Sequence, residues 1–313
     1  MRAVKLNNPL LIAVWPGMGN VAMLGGGSLV DSLGATPGEG IPSEPYFKVD
    51  HIDIKKGLAT PGRLPRNMFF IWEDPAKRHD LVIFVGEAQP QTGGRDLCET
   101  ILDRAEAMGV KRVFTFAALG SQVSPTDEPT VYAAATTDTL LDDLTKVGAE
   151  VLLEGQISGL NGALIGAAAQ RGMEGACVLG EIPFYAVGVP NPRASLAVVR
   201  LFERLSGIDL DTSVLEQAAD AAEPRLLSMQ KQITSATDDD DESESWSIGL
   251  EEEIDEEGAQ PSIDVKTRRQ IEDLFEHAES DRSLAVKLKR LLDEHGVFGE
   301  YEDRFLDLFR KTD

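Results

Sequence analysis

Leu10 to Trp15 is the unbroken apolar run LLIAVW, bounded by Asn-Pro before it and Pro-Gly after it. A strand with one wet face alternates apolar and polar residues. A run without alternation needs cover on both faces, which is the condition of a strand in a parallel sheet sandwiched between helices. This run therefore reads as a first central strand. Leu81 to Val85 (LVIFV) repeats the pattern, Val113 to Ala117 reads as another buried strand, and Asn67 to Trp72 adds a further strand. Tyr46 to Ile54 alternates imperfectly and reads as one or two short strands near an edge, and Val131 to Ala135 as another short strand.

Helical spacing fills the intervals. Asn20 is placed to cap a helix reaching about Leu33, weakened by Gly25, Gly26 and Gly27. After Gly93-Gly94 a helix runs to Met108 with Leu97, Ile101, Leu102 and Ala105 on one face, and Asp138 to Val147 is amphipathic. Asn191 and Pro192 open a helix through Leu205, Pro192 suiting the first helical position, and Asp211 or Thr212 caps another to about Met229. This alternation predicts an α/β fold, a three-layer α/β/α domain with a mainly parallel sheet.

Residues 155 to 187, GQISGLNGALIGAAAQRGMEGACVLGEIPFYAV, hold one complete unit of that kind. Val151 to Leu153 reads as a strand, Ser158 as the N-cap of a helix ended by Gly172, and Ala176 to Leu179 as a second strand. The spacing predicts a parallel pair with a right-handed crossover. Gly159, Gly162 and Gly166 leave the helix little bulk, which suits close packing first and a ligand at its glycine-flanked N-terminus second.

Charge divides the chain of 313 residues, whose net charge is −23. Between Ser235 and Gln260 lie twelve acidic residues and no basic one. Such a segment buries too little to order itself and reads as an acidic disordered linker, residues 235 to 260, after a core domain of residues 1 to 234. Beyond Pro261 apolar residues recur at helical spacing: Ile271, Leu274, Phe275 and Ala278; Leu284, Leu288, Leu291 and Leu292; Phe298, Phe305, Leu308 and Phe309. Residues 261 to 313 are expected to form a small C-terminal helical appendage that needs a partner surface. With no basic cluster, nucleic acid and anionic membranes are disfavoured as partners. Cys98 and Cys177 fall in apolar elements and read as buried free thiols of a reducing compartment, and no window reaches membrane-span length. A soluble, cytoplasmic protein is expected.

Ligands of open parallel sheets sit beyond the carboxyl ends of the strands. Four loops follow such ends here: PGMGN, GEAQP, GQISGLNG and GEIPFY. They nominate Gly17, Gly19, Asn20, Glu87, Gln89, Ser158, Asn161 and Glu181 as ligand-binding residues, with Gln156 beside them. The set has carboxylates and amides but no His, Lys, Arg or Cys, so it lacks a nucleophile and base and no catalytic residues are assigned. Glu87 and Glu181 could form an acid pair, although rim carboxylates more often bond loop amides. Gly17, Gly19 and Ala22 match G-x-G-x-x-A between strand and helix, but no acidic residue stands at the required distance, Asp50 being too far. His51, His79, His277 and His295 show no ligand spacing. No cofactor and no metal are expected.

Four segments in order, LLIAVWPGMGNVA, LVIFVGEAQP, VYAAATTDTLLDDL and ISGLNGALIGAAAQRGMEGACVLGEIPFY, resemble the proteasome assembly chaperone 2 family, in its archaeal and bacterial branch. The likeness spans roughly Leu10 to Leu210. It implies a fold similar to nucleoside phosphorylases, homo-oligomerisation and a non-enzymatic role binding protein partners, proteasome subunits or a proteasome-associated ATPase. The chain departs from the family pattern at Ala22 and Ile182, neither of which threatens the fold. It ends Phe309-Arg-Lys-Thr-Asp313 where relatives may carry a hydrophobic-tyrosine-X tail, so the linker and appendage are expected to replace that docking route or to serve another partner. The alternative is a small-molecule enzyme or sensor with a nucleotide or nucleoside at the strand rim.

Overall fold

The computed structural model describes residues 6–49, 52–238, 265–280, 284–295 and 297–309. Its strands are β1 (Leu10–Val14), β2 (Thr36–Pro37), β3 (Ile52–Lys55), β4 (Leu58–Pro61), β5 (Asn67–Trp72), β6 (Leu81–Gly86), β7 (Arg112–Ser121), β8 (Val131–Ala135), β9 (Glu150–Val151) and β10 (Glu174–Pro183). The helices are α1 (Val21–Ser32), α2 (Gly94–Ala107), α3 (Asp138–Lys146), α4 (Gly159–Gln170), α5 (Pro192–Ser206), α6 (Ser213–Asp238), α7 (Val265–Ser280), α8 (Leu284–Glu294) and α9 (Phe298–Asp307). The linker reading falls mostly on residues outside those described, and α6 runs on through Asp238, past the expected end near Met229.

Eight strands form one sheet in the order β2-β5-β6-β1-β7-β10-β8-β9. The four in the middle, β6, β1, β7 and β10, are mutually parallel, while β5 joins β6 and β8 joins β10 in antiparallel fashion. Every residue of β1 is buried, as the unbroken apolar run requires. Period-two alternation sends Leu11, Ala13 and Trp15 to one face, where they join Phe84, Val113, Ile101, Leu102, Leu160 and Leu164 under α2 and α4. On the other face α1 and α5 cover the sheet, with Phe202 edge-on to Phe114 and Phe116 at ring separations of 5.6 and 6.0 Å. The three-layer α/β/α arrangement is the one anticipated.

The parallel pair expected from residues 151–153 and 176–179 does not form. Both edges of β10 are taken: β7 runs beside it from Glu174 to Pro183, and β8 occupies the other side from Ala176 to Gly180. The strand before α4 shrinks to Glu150 and Val151, pairs with β8 instead, and leaves Leu153 88% exposed. Residues 46–49 are not strand either. Regular pairing begins at Ile52, where β3 and β4 make a separate two-stranded ribbon closed by Lys56 and Gly57, both at positive φ.

The chain divides into two compact units, Met1–Pro224 and Arg225–Asp313, and the division falls inside α6 at a proline. In the second unit α7, α8 and α9 bury Ile271, Phe275, Ala278, Leu288, Leu292 and Phe305, and Phe275 stacks on Tyr301 at 5.7 Å. Among the described residues no helix is long and apolar enough to cross a membrane.

Candidate functional site

Because β6, β1, β7 and β10 are parallel, their carboxyl ends share one rim, reached by the turn after β1, the loop after β6 and the first turn of α4, whereas Gly180 to Pro183 lie within β10 and GQISGLNG follows β9, which runs antiparallel to β10. Gln89 is the residue that joins the three segments at the rim. Its Nε2 donates to the Pro16 carbonyl at 2.9 Å, and its Oε1 accepts the Leu160 N–H at 3.0 Å. One amide thus ties the loop after β1 and the loop after β6 to the first turn of α4. Ser158 does stand at the N-cap position with extended backbone, but its hydroxyl makes no capping bond; the amide from the β6 loop takes that role. Gly159 lets it come this close, since a Cβ there would lie 2.5 Å from Gln89 Oε1 and its φ of 69° already favours glycine.

Gly17, Gly19 and Asn20 build the turn before α1. Asn20 precedes that helix but is left-handed at φ 52°, and its side chain makes no cap bond, contrary to the expectation. Side-chain capping needs an extended backbone at that position, which the left-handed turn denies. What fixes the turn is Asn191, which sequence reading treated only as the start of α5. Its N–H donates to Gly19 O at 2.7 Å, its Nδ2 donates to Ala186 O and Val189 O, and Gly19 N–H donates to Val187 O. An Asn directly after a Val-Pro step was the available signal; its bonds to Ala186 and Val189 are local, but Gly19 lies far along the chain, beyond the reach of local spacing.

The two carboxylates are not brought together. Glu87 leaves the end of β6, and Glu181 sits on β10; two strands lie between them, so at a strand spacing of about 4.8 Å they are roughly 14 Å apart. Each has its own local work. Glu87 accepts from Arg63 Nη1 at 2.5 Å, from Arg66 Nε at 2.7 Å and from the Arg66 N–H at 2.8 Å. Partial burial opposes its ionisation, but the two guanidiniums and the amide outweigh it and bring the carboxyl down to about 2. Glu181 accepts from Ser121 Oγ at 2.7 Å and from the Thr130 N–H at 3.0 Å, binding the loop before β8 to β10. Glu87 is thereby held ionised at neutral pH as a structural anchor.

Some polar atoms at this end of the sheet stay unmatched. Among the described residues, Trp15 Nε1, Asn161 Oδ1 and Tyr185 Oη are buried without a hydrogen-bond partner. Asn161 lies in the first turn of α4 with 8% exposure, and its backbone carbonyl accepts from Thr115 Oγ1 at 3.3 Å. Gln156 is exposed on the loop before Ser158. No thiol is available as a nucleophile: Cys98 and Cys177 are free and buried, and burial pushes both up to about 12. Among the described residues no group of three or more His, Cys, Asp and Glu side chains is placed to hold a metal ion.

The sequence model of the PAC2 family matches residues 11–230. No curated protein matches the chain. Among solved structures, PbaB of Pyrococcus furiosus, an archaeal proteasome activator, is similar at 26% identity with a TM-score of 0.62 over 72% of this chain and 95% of its own. A proteasome-assembly chaperone homologue of Mycobacterium tuberculosis is similar at 21% identity and TM-score 0.61, over 70% of this chain and 94% of its own. A PAC2 family protein of Streptomyces avermitilis follows at 22% identity and TM-score 0.60, over 69% and 93%. The last two likenesses establish the fold.

Proposed function

This chain belongs to the PAC2 family, and from that membership we propose that it is a non-enzymatic, proteasome-assembly-chaperone-like protein of the cytoplasm that self-associates and binds protein partners. The partners proposed are proteasome subunits or a proteasome-associated ATPase. The observation that most supports a binding role over a catalytic one is the use of the rim: Gln89 and Glu181 hold loops, and Glu87 holds Arg63 and Arg66. A site whose polar groups are engaged in this way presents a rigid edge, which is what a protein-docking platform needs. Affinity capture from native lysate with the full chain, and with a chain ending at Thr234, tests it. Proteasome subunits are expected with the full chain, and the comparison assigns the part that holds them. Recovery of the protein alone, from a lysate containing proteasomes, contradicts the role.

A second reading places a small polar ligand at the rim near Gly17, Gly19, Asn20, Ser158 and Asn161. The unmatched Asn161 Oδ1 favours it, because a buried acceptor without a donor costs about 1–3 kcal/mol that a ligand N–H or O–H would remove. Calorimetry with nucleosides, nucleotides and phosphate tests this reading. Heat that disappears in Asn161→Leu supports it, and no heat at millimolar ligand removes it.

A further inference from the structure

Both strands of the β3–β4 ribbon are exposed at every one of their eight residues. Its register pairs Ile52 with Pro61 and Ile54 with Ala59, so these four side chains share one face, while Asp53, Lys55, Leu58 and Thr60 share the other. Ile52 is 61% exposed and Ile54 72%. A two-stranded ribbon is marginal by itself in water, and an apolar face left open on one points to a surface that covers it.

Charge says which surface. Residues 48 to 66 carry Lys48, Lys55, Lys56, Arg63 and Arg66 against Asp50 and Asp53, a net of +3 within a chain of −23. Arg63 and Arg66 are held by Glu87, and Lys56, in the ribbon's turn, is exposed. The ribbon interrupts the connection between β2 and β5, the strands at one edge of the sheet. At the other edge, β9 has an unpaired side, and Leu153 stands exposed just beyond it between Glu150 and Glu154, themselves exposed. One edge thus offers isoleucines with a lysine, and the other a leucine with glutamates. Eight strands at a spacing of about 4.8 Å separate the two by roughly 34 Å, so a chain's own ribbon is kept from its own β9 edge.

We infer that the β3–β4 ribbon of one protomer docks on the β9 edge of a second copy of this chain, Ile52 and Ile54 covering Leu153 while Lys56, at the turn, meets Glu150 and Glu154. The contact is heterologous: each protomer gives a ribbon and receives one, so the subunits join head to tail. The inference rests on the self-association proposed above and names its surface.

Sedimentation velocity on the full chain tests it. The wild-type protein is expected at a multiple of 33.9 kDa, and Ile52→Asp/Ile54→Asp at the single-chain mass. Two charge reversals, Lys56→Glu and Glu150→Lys/Glu154→Lys, are each expected to give the single-chain mass alone and to form assemblies larger than a single chain when mixed. All these positions are exposed, and unchanged circular dichroism confirms that the variants fold. Wild-type mass in every variant overturns the ribbon contact and leaves self-association standing. A single-chain mass for the wild type overturns both.

Discussion

Gln89 shows what single residues do in this molecule, since one exposed side chain fastens two loops to a helix. Gln89→Ala removes both bonds and should lower unfolding free energy by about 1–2 kcal/mol in urea titration. Gly159→Ala should cost about 2 kcal/mol, because alanine is strained at positive φ and its methyl displaces the same amide. At Cys98 and Cys177 the prediction is chemical: neither thiol should react with Ellman's reagent in the folded protein, and both should react in denaturant. The residue scale is also where sequence reading was weakest. Gln89 and Gly159 could be placed at the rim from strand ends and helix starts, but their contact spans about seventy positions of chain, and nothing local encodes it. Ser158 and Asn20 carried the right residue types for caps at the right positions, and tertiary geometry assigned the bonds elsewhere.

At the scale of elements, the turn joining β5 to β6 depends on the ionised carboxylate of Asp74. Asp74 is fully buried and accepts from Arg78 Nε at 2.9 Å and from the Ala76 and Arg78 amides, and its own N–H donates to Asp80. The Arg78 guanidinium, with those amides, holds its carboxyl far below the usual range against the cost of burial. Glu87, at the far end of β6, falls from 4.5 to about 2. Both folded values lie below the unfolded ones. The stability they supply is therefore complete above about pH 5 and is lost as pH falls through 4.5 towards 2. Urea midpoints should decline over that window, and Glu87→Gln should lessen the decline while lowering stability at neutral pH.

Elements were the most legible level of the sequence. The unbroken apolar runs at Leu10 and Leu81 and the mainly apolar one at Val113 became the parallel centre, because burial on both faces favours apolar side chains throughout. What failed was adjacency. The β-α-β reading of residues 151–179 assumed that consecutive strands are neighbours, whereas β8, earlier in the chain, had already taken that side of β10. The ribbon escaped because Lys56-Gly57 lacks the Asn-Gly or Asp-Gly signature of a two-residue turn, although both its residues adopt the positive φ such a turn requires.

For the whole molecule, the apolar cluster beneath α2 and α4 is drawn entirely from residues 6 to 173, so the first unit contains its own core. Removing residues 239–313 should leave the melting temperature of that unit unchanged within a degree or two, as read by near-ultraviolet circular dichroism. The role itself rests on family membership joined to the structural engagement of Gln89, Glu87 and Glu181 at the rim. Its most direct test is assembly of purified proteasome core-particle subunits from the source organism, followed by native mass spectrometry with and without this protein. The account predicts a complex that contains this chain, faster appearance of assembled rings, and the same rate whether or not nucleotide is added. Unchanged assembly, with this chain detected only on its own at every concentration, would contradict it.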